Sequence, residues 1–144
     1  MPGYRPEPDR DSRAWWERVA GREFAVQECD ACGTLRFPPR AFCAACRTEG
    51  WHWRELEPEG KVESWIVNRR AFVPGLHDPY LVVMVRLEAV PGALMYGNWR
   101  AERPPEAGEP VRGVFSQVDE SLIVLDWIPE SRISHQLSEN HPAD

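Results

Sequence analysis

Four cysteines fall as two pairs, Cys29-Asp30-Ala31-Cys32 and Cys43-Ala44-Ala45-Cys46, with ten residues between the pairs. Two C-x-x-C pairs at this separation predict a structural zinc site. The two-residue gap makes a tight knuckle that turns both sulfurs toward one centre. Gly33, directly after the first pair, suits the left-handed backbone such a knuckle needs. Four thiolates around Zn²⁺ complete a tetrahedral shell and leave no position for water, so the site would hold a fold together rather than catalyse. Two disulfides are the competing arrangement, and a reducing cytosol disfavours them. A redox-active C-x-x-C would need a βαβ setting, which is absent. His52 and His77 could ligate metal in principle, but the thiolates already fill the shell.

No other constellation supports chemistry by the chain itself. His135 and His141 lie in the polar tail, and no Ser-His-Asp or paired-carboxylate set can be assigned to one pocket. Asp126 falls among apolar residues, in phase with Leu122, Val124 and Ile128. It is either a buried, hydrogen-bonded acid or a group that faces a partner or ligand.

The elements that must carry the cysteines can be read from the pattern around them. Residues 1–10 are rich in proline and charge. Asp11 or Ser12 can cap a short helix over Arg13–Ala20, with Gly21 just past its end. Trp15 and Trp16 cannot both face one narrow stripe of that helix. Either both cap the core, or one docks on a partner. Residues 23–28 alternate as a strand into the first knuckle. The inter-knuckle loop holds Phe37, Pro38 and Pro39 between Arg36 and Arg40, a stiff apolar protrusion. Trp51, His52 and Trp53 open another strand.

From Gly60 onward the pattern is all-β. A strand over residues 61–73 would place Val62, Ile66 and Phe72 on one face, with Trp65 and Val67 on the other. Residues 80–88 form the clearest strand, with Leu81, Val83, Val85 and Leu87 on one side. Strands over 93–99, 111–118 and 122–128 follow. Prolines 104, 105 and 110 exclude a regular long helix between the third and fourth of these five. Five short strands after a zinc ribbon predict a mainly β protein with a five-stranded OB-fold barrel. The division expected is an arm and docking helix at 1–22, a ribbon at 23–59, a barrel at 60–130 and a flexible tail at 131–144.

The 144 residues carry 17 basic and 23 acidic side chains, a net charge of −6. Residues 1–100 balance at 14 of each sign, so the whole excess lies in the last third. An acidic chain lacks the phosphate-neutralising surface of a nucleic-acid binder. The alternative reading, an OB barrel stacking single-stranded bases on Trp65, Tyr96 and Trp99, has that balance against it. No apolar run approaches the roughly 20 residues of a membrane span. The N-terminus has no apolar stretch of a secretory signal. A cytoplasmic protein with no membrane partner is expected.

The order of these features resembles a known family. A Trp-pair helix leads to C-x-x-C-Gly, then Phe37-Pro38-Pro39-Arg40 and the second C-x-x-C. Gly60-Lys61-Val62-Glu63-Ser64-Trp65, Pro79-Tyr80-Leu81-Val82-Val83 and Gly108-Glu109-Pro110-Val111 follow. Over roughly residues 12–130 this resembles the rubredoxin-like zinc ribbon plus OB-fold proteins associated with acyl-CoA metabolism, long catalogued as a domain of unknown function. The resemblance implies an accessory subunit of a thiolase-superfamily enzyme, with no activity expected from the chain alone. The partner would be a lipid-transfer-protein-like, thiolase-fold retro-aldolase of steroid side-chain degradation, joined in a heterotetramer. CoA carries phosphates and an adenine, which arginine and aromatic groups suit. The residues assigned to CoA are Arg36, Phe37 and Arg40 on the ribbon and Asn68, Arg69 and Arg70 at the end of the first barrel strand. Those assigned to partner docking are Trp15, Trp16, Phe37, Pro38 and Pro39.

Overall fold

The structure, a computed structural model, describes residues 5–70 and 79–131. One helix precedes eight strands: α1 (Arg13–Ala20), β1 (Ala25–Cys29), β2 (Leu35–Arg36), β3 (Trp51–Glu55), β4 (Glu59–Asn68), β5 (Tyr80–Leu87), β6 (Leu94–Asn98), β7 (Pro110–Asp119) and β8 (Leu122–Pro129). The fold is mainly β, with the helix, ribbon and OB-type sheet in the expected order. The first three strands form one antiparallel sheet in the order β2-β1-β3. The other five form a second sheet in the order β6-β5-β4-β7-β8.

Helix α1 buries Trp15 and Val19, one turn apart, against the strands. Its first turn is fastened one step earlier than expected. Neither Asp11 nor Ser12 caps it through a side chain. Instead the Asp9 carboxylate accepts from the Ser12 backbone N–H at 2.8 Å and the Ser12 hydroxyl at 2.6 Å, while the Asp9 N–H donates to Ser12 Oγ at 3.1 Å. This reciprocal pair does the work of a capping box. The Ser12 hydroxyl and N–H hold the Asp9 carboxyl below its ordinary value. At the other end Gly21 follows the helix, but Arg22 takes the left-handed backbone, at φ 59°. Its guanidinium reaches the Phe115 carbonyl at 3.3 Å and Gln117 Oε1 at 3.4 Å, tying the helix end to β7.

The five-stranded sheet closes on itself. Trp99, just past β6, bridges Trp127 of β8 in parallel, and the Arg100 N–H donates to the Trp127 carbonyl at 2.9 Å. Closure needs the strands to approach closely, and Gly97 allows it. A Cβ on Gly97 would lie 2.7 Å from the Trp127 ring and 2.8 Å from the Leu125 carbonyl. Gly97→Ala is therefore expected to destabilise the fold by about 1–3 kcal/mol, as overpacking does. Denaturant titration at unchanged slope checks this.

Strand β4 departs from the simple alternation. A bulge between Val62 and Ser64 pairs Val62 with Val85, Ser64 with Met84 and Trp65 with Val83. One extra residue exchanges the two faces. Val62 is buried, yet Ile66 is 62% exposed and Trp65 takes the inward side. The expected Val62/Ile66 face is thus broken at residue 63. Phe72, assigned to the same face, lies outside the described residues. The β5 face is as expected: Val83, Val85 and Leu87 are buried and Leu81 is half-buried.

The stretch between β6 and β7 contains no helix. It is held by Arg103, which makes paired hydrogen bonds to Glu109 at 2.9 and 2.6 Å, and by the Trp99 indole N–H on the Arg103 carbonyl at 2.7 Å. The Arg103 guanidinium keeps the Glu109 carboxyl below its usual range. Trp99 is buried, so it offers no free face for stacking a base.

One apolar core joins the parts. Trp15, Val19, Phe24 and Val26 from the helix and first sheet pack in the same cluster as Val62, Val85, Leu125 and Trp127 from the barrel.

Candidate functional site

The first sheet positions the thiols. Buried Gln27, at the centre of β1, draws in the inter-knuckle loop: its side-chain carbonyl accepts from Arg36 Nε at 2.7 Å and from the Arg40 N–H at 2.8 Å. The two knuckles then repeat one hydrogen-bond pattern. The Cys29 N–H donates to the Thr34 carbonyl at 3.0 Å and the Gly33 N–H to the Cys29 carbonyl at 2.9 Å. In the second knuckle Cys43 donates to Thr48 at 3.0 Å and Arg47 to Cys43 at 2.8 Å. Gly33 sits at φ 71° and Arg47 at φ 62°, so arginine takes at the second knuckle the strained conformation that glycine takes freely at the first.

The ligand atoms of Cys29, Cys32, Cys43 and Cys46 all lie within 4.8 Å of one another. None forms a disulfide. Cys29 Sγ and Cys46 Sγ are 3.5 Å apart, and Cys32 Sγ and Cys43 Sγ 3.7 Å. Four sulfurs at about 2.3 Å from a tetrahedral zinc would be separated by about 3.8 Å. The thiol set therefore fits a four-coordinate thiophilic metal ion and leaves no vacant position. His52 does not join it. Its Nδ1 lies 2.6 Å from Asp30 Oδ1, on the exposed surface of the ribbon. His77, His135 and His141 lie outside the described residues.

Two threonines complete the surroundings, and the sequence reading passed over them. Thr34 Oγ1 is 3.1 Å from Cys32 Sγ. Thr48 Oγ1 is 3.1 Å from Cys46 Sγ and 3.5 Å from Cys29 Sγ. The Thr48 hydroxyl, with backbone N–H groups of the knuckle, lowers the Cys29 thiol to about 6. Backbone N–H groups of Cys46 and Ala45 lower Cys43 in the same direction. The signal was present: each C-x-x-C is followed, two residues on, by threonine.

The other assigned residues fall in different settings. Trp15 is buried, and Trp16 is half-buried with its ring edge-on to Trp15 at 5.0 Å. Phe37 does not protrude. It is half-buried with its ring 5.5 Å from Trp15, Pro39 is buried, and Pro38 is the exposed member of the three. Apolar burial against Trp15 outweighs the stiffness that suggested a projecting loop. Arg36 is turned into the ribbon, with Nε on Gln27 and Nη2 on the Arg40 carbonyl at 3.0 Å. Arg40 donates from Nη1 to the Pro39 carbonyl at 3.0 Å. At the end of β4, Asn68 donates to the Tyr80 hydroxyl at 2.6 Å, while Arg69 and Arg70 are exposed. Phe42, between the knuckles, is 56% exposed and was not singled out from sequence.

Asp126 is fully buried and hydrogen-bonded, accepting from Asn98 Nδ2 at 2.8 Å and Arg100 Nε at 2.7 Å.

Residues 16–52 match the family described as ChsH2, rubredoxin-like zinc ribbon domain. Residues 53–116 match ChsH2, C-terminal OB-fold domain. The chain belongs to the ChsH2 family. This ChsH2-family chain is similar to the solved Ltp2-ChsH2(DUF35) aldolase, with a TM-score of 0.79 and 32% identity over 87% of this chain and 98% of that one. A DUF35-family protein of unknown function from Sulfolobus solfataricus shares the fold at a TM-score of 0.58 and 13% identity, covering 81% of this chain and 83% of that one. Among curated proteins, a probable enoyl-CoA hydratase alpha subunit of Thermomonospora curvata is 33% identical over 86% of this chain and 35% of its own length. The 3-oxo-4,17-pregnadiene-20-carboxyl-CoA hydratase alpha subunit of Mycobacterium tuberculosis is 30% identical over 77% of this chain and 35% of its own length. The ChsH2-family chain thus spans about a third of the length of these curated relatives. No described helix is long and apolar enough to cross a membrane.

Proposed function

We propose that the chain is a non-catalytic accessory subunit that binds and activates a thiolase-superfamily acyl-CoA enzyme. The observation that carries this reading is the likeness to the ChsH2 chain of the Ltp2-ChsH2(DUF35) aldolase, which extends over 98% of that chain. The partner is a retro-aldolase acting on a steroid-derived side chain, a substrate class in keeping with the pregnadiene-carboxyl-CoA named for the mycobacterial relative. Two copies of each chain form a heterotetramer. Carbon–carbon cleavage beside a thioester needs a base and an oxyanion site, and the partner supplies both.

The ribbon is the docking element, made rigid by Zn²⁺ on Cys29, Cys32, Cys43 and Cys46. Of the docking set, Pro38 and the outer edge of Trp16 face outward, and exposed Phe42 lies on the same inter-knuckle loop as Pro38. Trp15, Phe37 and Pro39 support them from beneath. Arg69 and Arg70, with Asn68 held by Tyr80, are the exposed groups suited to CoA phosphates. Arg36, Phe37 and Arg40 act there mainly by shaping the loop.

Phe42→Asp, at an exposed position, is expected to leave folding and metal content unchanged but weaken the complex at least about tenfold, the cost of placing a charge in an apolar contact. Co-elution with the neighbouring thiolase-fold enzyme and its acyl-CoA lyase activity measure this. If the wild-type chain elutes apart from a thiolase that is fully active alone, the accessory-subunit reading fails.

Thr48→Val tests the metal assignment. The Thr48 hydroxyl favours the Cys29 thiolate, so its loss raises that thiol from about 6 toward its ordinary value. Protons then compete with Zn²⁺ at a higher pH, and release on acidification should begin earlier. Affinity at neutral pH should fall about 10–100-fold, as for loss of an outer-shell partner. A chromogenic zinc chelator followed across pH reads both effects.

A further inference from the structure

A pocket of about 360 Å³ opens where α1 and the inter-knuckle loop meet β6 and β8. Trp15, Trp16 and Phe37 line one side, while Met95, Leu122 and Val124 are among the apolar residues of the other. The volume lies within the range of about 300–1,000 Å³ typical of small-molecule sites. The aromatic side is preset: Trp15 is fixed edge-on to Trp16 and tilted against Phe37. Flat aromatic walls favour a ligand with a ring face of its own.

The polar lining selects further. Asn98 and Asp126 are the only lining residues with a polar side chain other than indole or phenol. Asp126 is fully buried. Its two oxygens each accept one hydrogen bond, from Asn98 and from Arg100, and a carboxylate has about four lone-pair sites. Arg100 is not a lining residue, so an entering molecule meets the carboxylate and not the guanidinium. A carboxylate in apolar surroundings repels an anion and accepts from an O–H donor.

From this combination we infer that the pocket binds a neutral, apolar ring compound bearing a hydroxyl group, with the hydroxyl directed to Asp126. The site belongs to the chain itself, so the inference stands whether or not the chain joins an acyl-CoA enzyme.

The test uses the full isolated chain with naphthol, naphthalene and naphthoate as probes, in calorimetric titration and ligand-observed NMR. Naphthol is expected to bind saturably at one site, with nuclear Overhauser contacts to the Met95 methyl and the Trp16 indole. Naphthalene and naphthoate should each bind at least about tenfold more weakly, because the hydrogen bond to a charged acceptor is lost in both. Val124→Trp, which fills the pocket from β8, should reduce naphthol binding at least tenfold with unchanged metal content. Equal binding of naphthoate and naphthol would overturn the inference. So would undiminished binding by a folded Val124→Trp, or contacts that map elsewhere. Absence of saturable naphthol uptake would also overturn it and would point to a pocket that takes only a partner's side chain. The contact map is read on wild-type protein, so the test does not depend on whether the variant folds.

Discussion

Cys43→Ser is expected to abolish metal retention and to loosen the barrel as well as the ribbon. The Cys43 sulfur is buried, 3.7 Å from Cys32 Sγ, and completes a four-thiol shell. A serine oxygen is a hard, ordinarily protonated ligand, while the set of three remaining sulfurs suits a soft metal. Affinity should fall by more than about a hundredfold, beyond the cost of losing an outer-shell partner alone. The ion holds β2 and the two knuckles in place, so their amides should exchange rapidly in the variant. The effect should spread further, because Phe24 and Val26 of the first sheet share a core cluster with Val62, Val85 and Trp127. Zinc content by elemental analysis and residue-resolved hydrogen exchange measure the two parts. Full metal content in Cys43→Ser would rule out the four-thiolate site. A barrel with unaltered exchange would rule out the energetic coupling through the shared core.

The zinc ribbon was legible because its signal is local. Two C-x-x-C pairs act through backbone geometry within a few residues, and the structure brings all four sulfurs together. Strand β5 was legible for the same reason, since its alternation survives intact. What escaped depended on partners distant in sequence or on single-residue defects. The bulge after Val62 has no side-chain signature, yet it sends Ile66 outward. Phe37 reads as a projecting residue until Trp15, 22 positions earlier, is seen beneath it. Asp9 competes with Asp11 and Ser12 as a cap, and only the reciprocal bonds to Ser12 decide among them. The setting of Asp126 depends on Asn98 and Arg100 of another strand's end, 28 and 26 residues away, so periodicity could leave only a choice between burial and exposure to a ligand.

Arg100→Ala is expected to destabilise the fold more than most substitutions at a half-exposed arginine. The Arg100 side chain is 50% exposed, but the carboxylate it meets is not exposed at all. Removing one partner of a buried ion pair costs about 3–5 kcal/mol, because the other charge is left uncompensated. Solvent reaches the Arg100 side of this pair, so about 2–3 kcal/mol is the expected loss. Asn98 alone cannot replace the charge, since its amide supplies one neutral hydrogen bond at 2.8 Å. Adding Asp126→Asn to Arg100→Ala should therefore recover part of the loss, whereas independent effects would add. The position of the pair makes the effect global. Asn98 and Arg100 flank Trp99, and Asp126 precedes Trp127, so the ion pair sits on the seam where Trp99 bridges Trp127 and the Arg100 N–H meets the Trp127 carbonyl. Loss of the charge pair should open the barrel at that seam first. Amides of residues 98–100 and 125–128 would then gain exchange before those of the β4–β5 ladder. A uniform rise in exchange, or a double variant less stable than Arg100→Ala alone, would show that the seam is held by apolar contact and not by the buried charge.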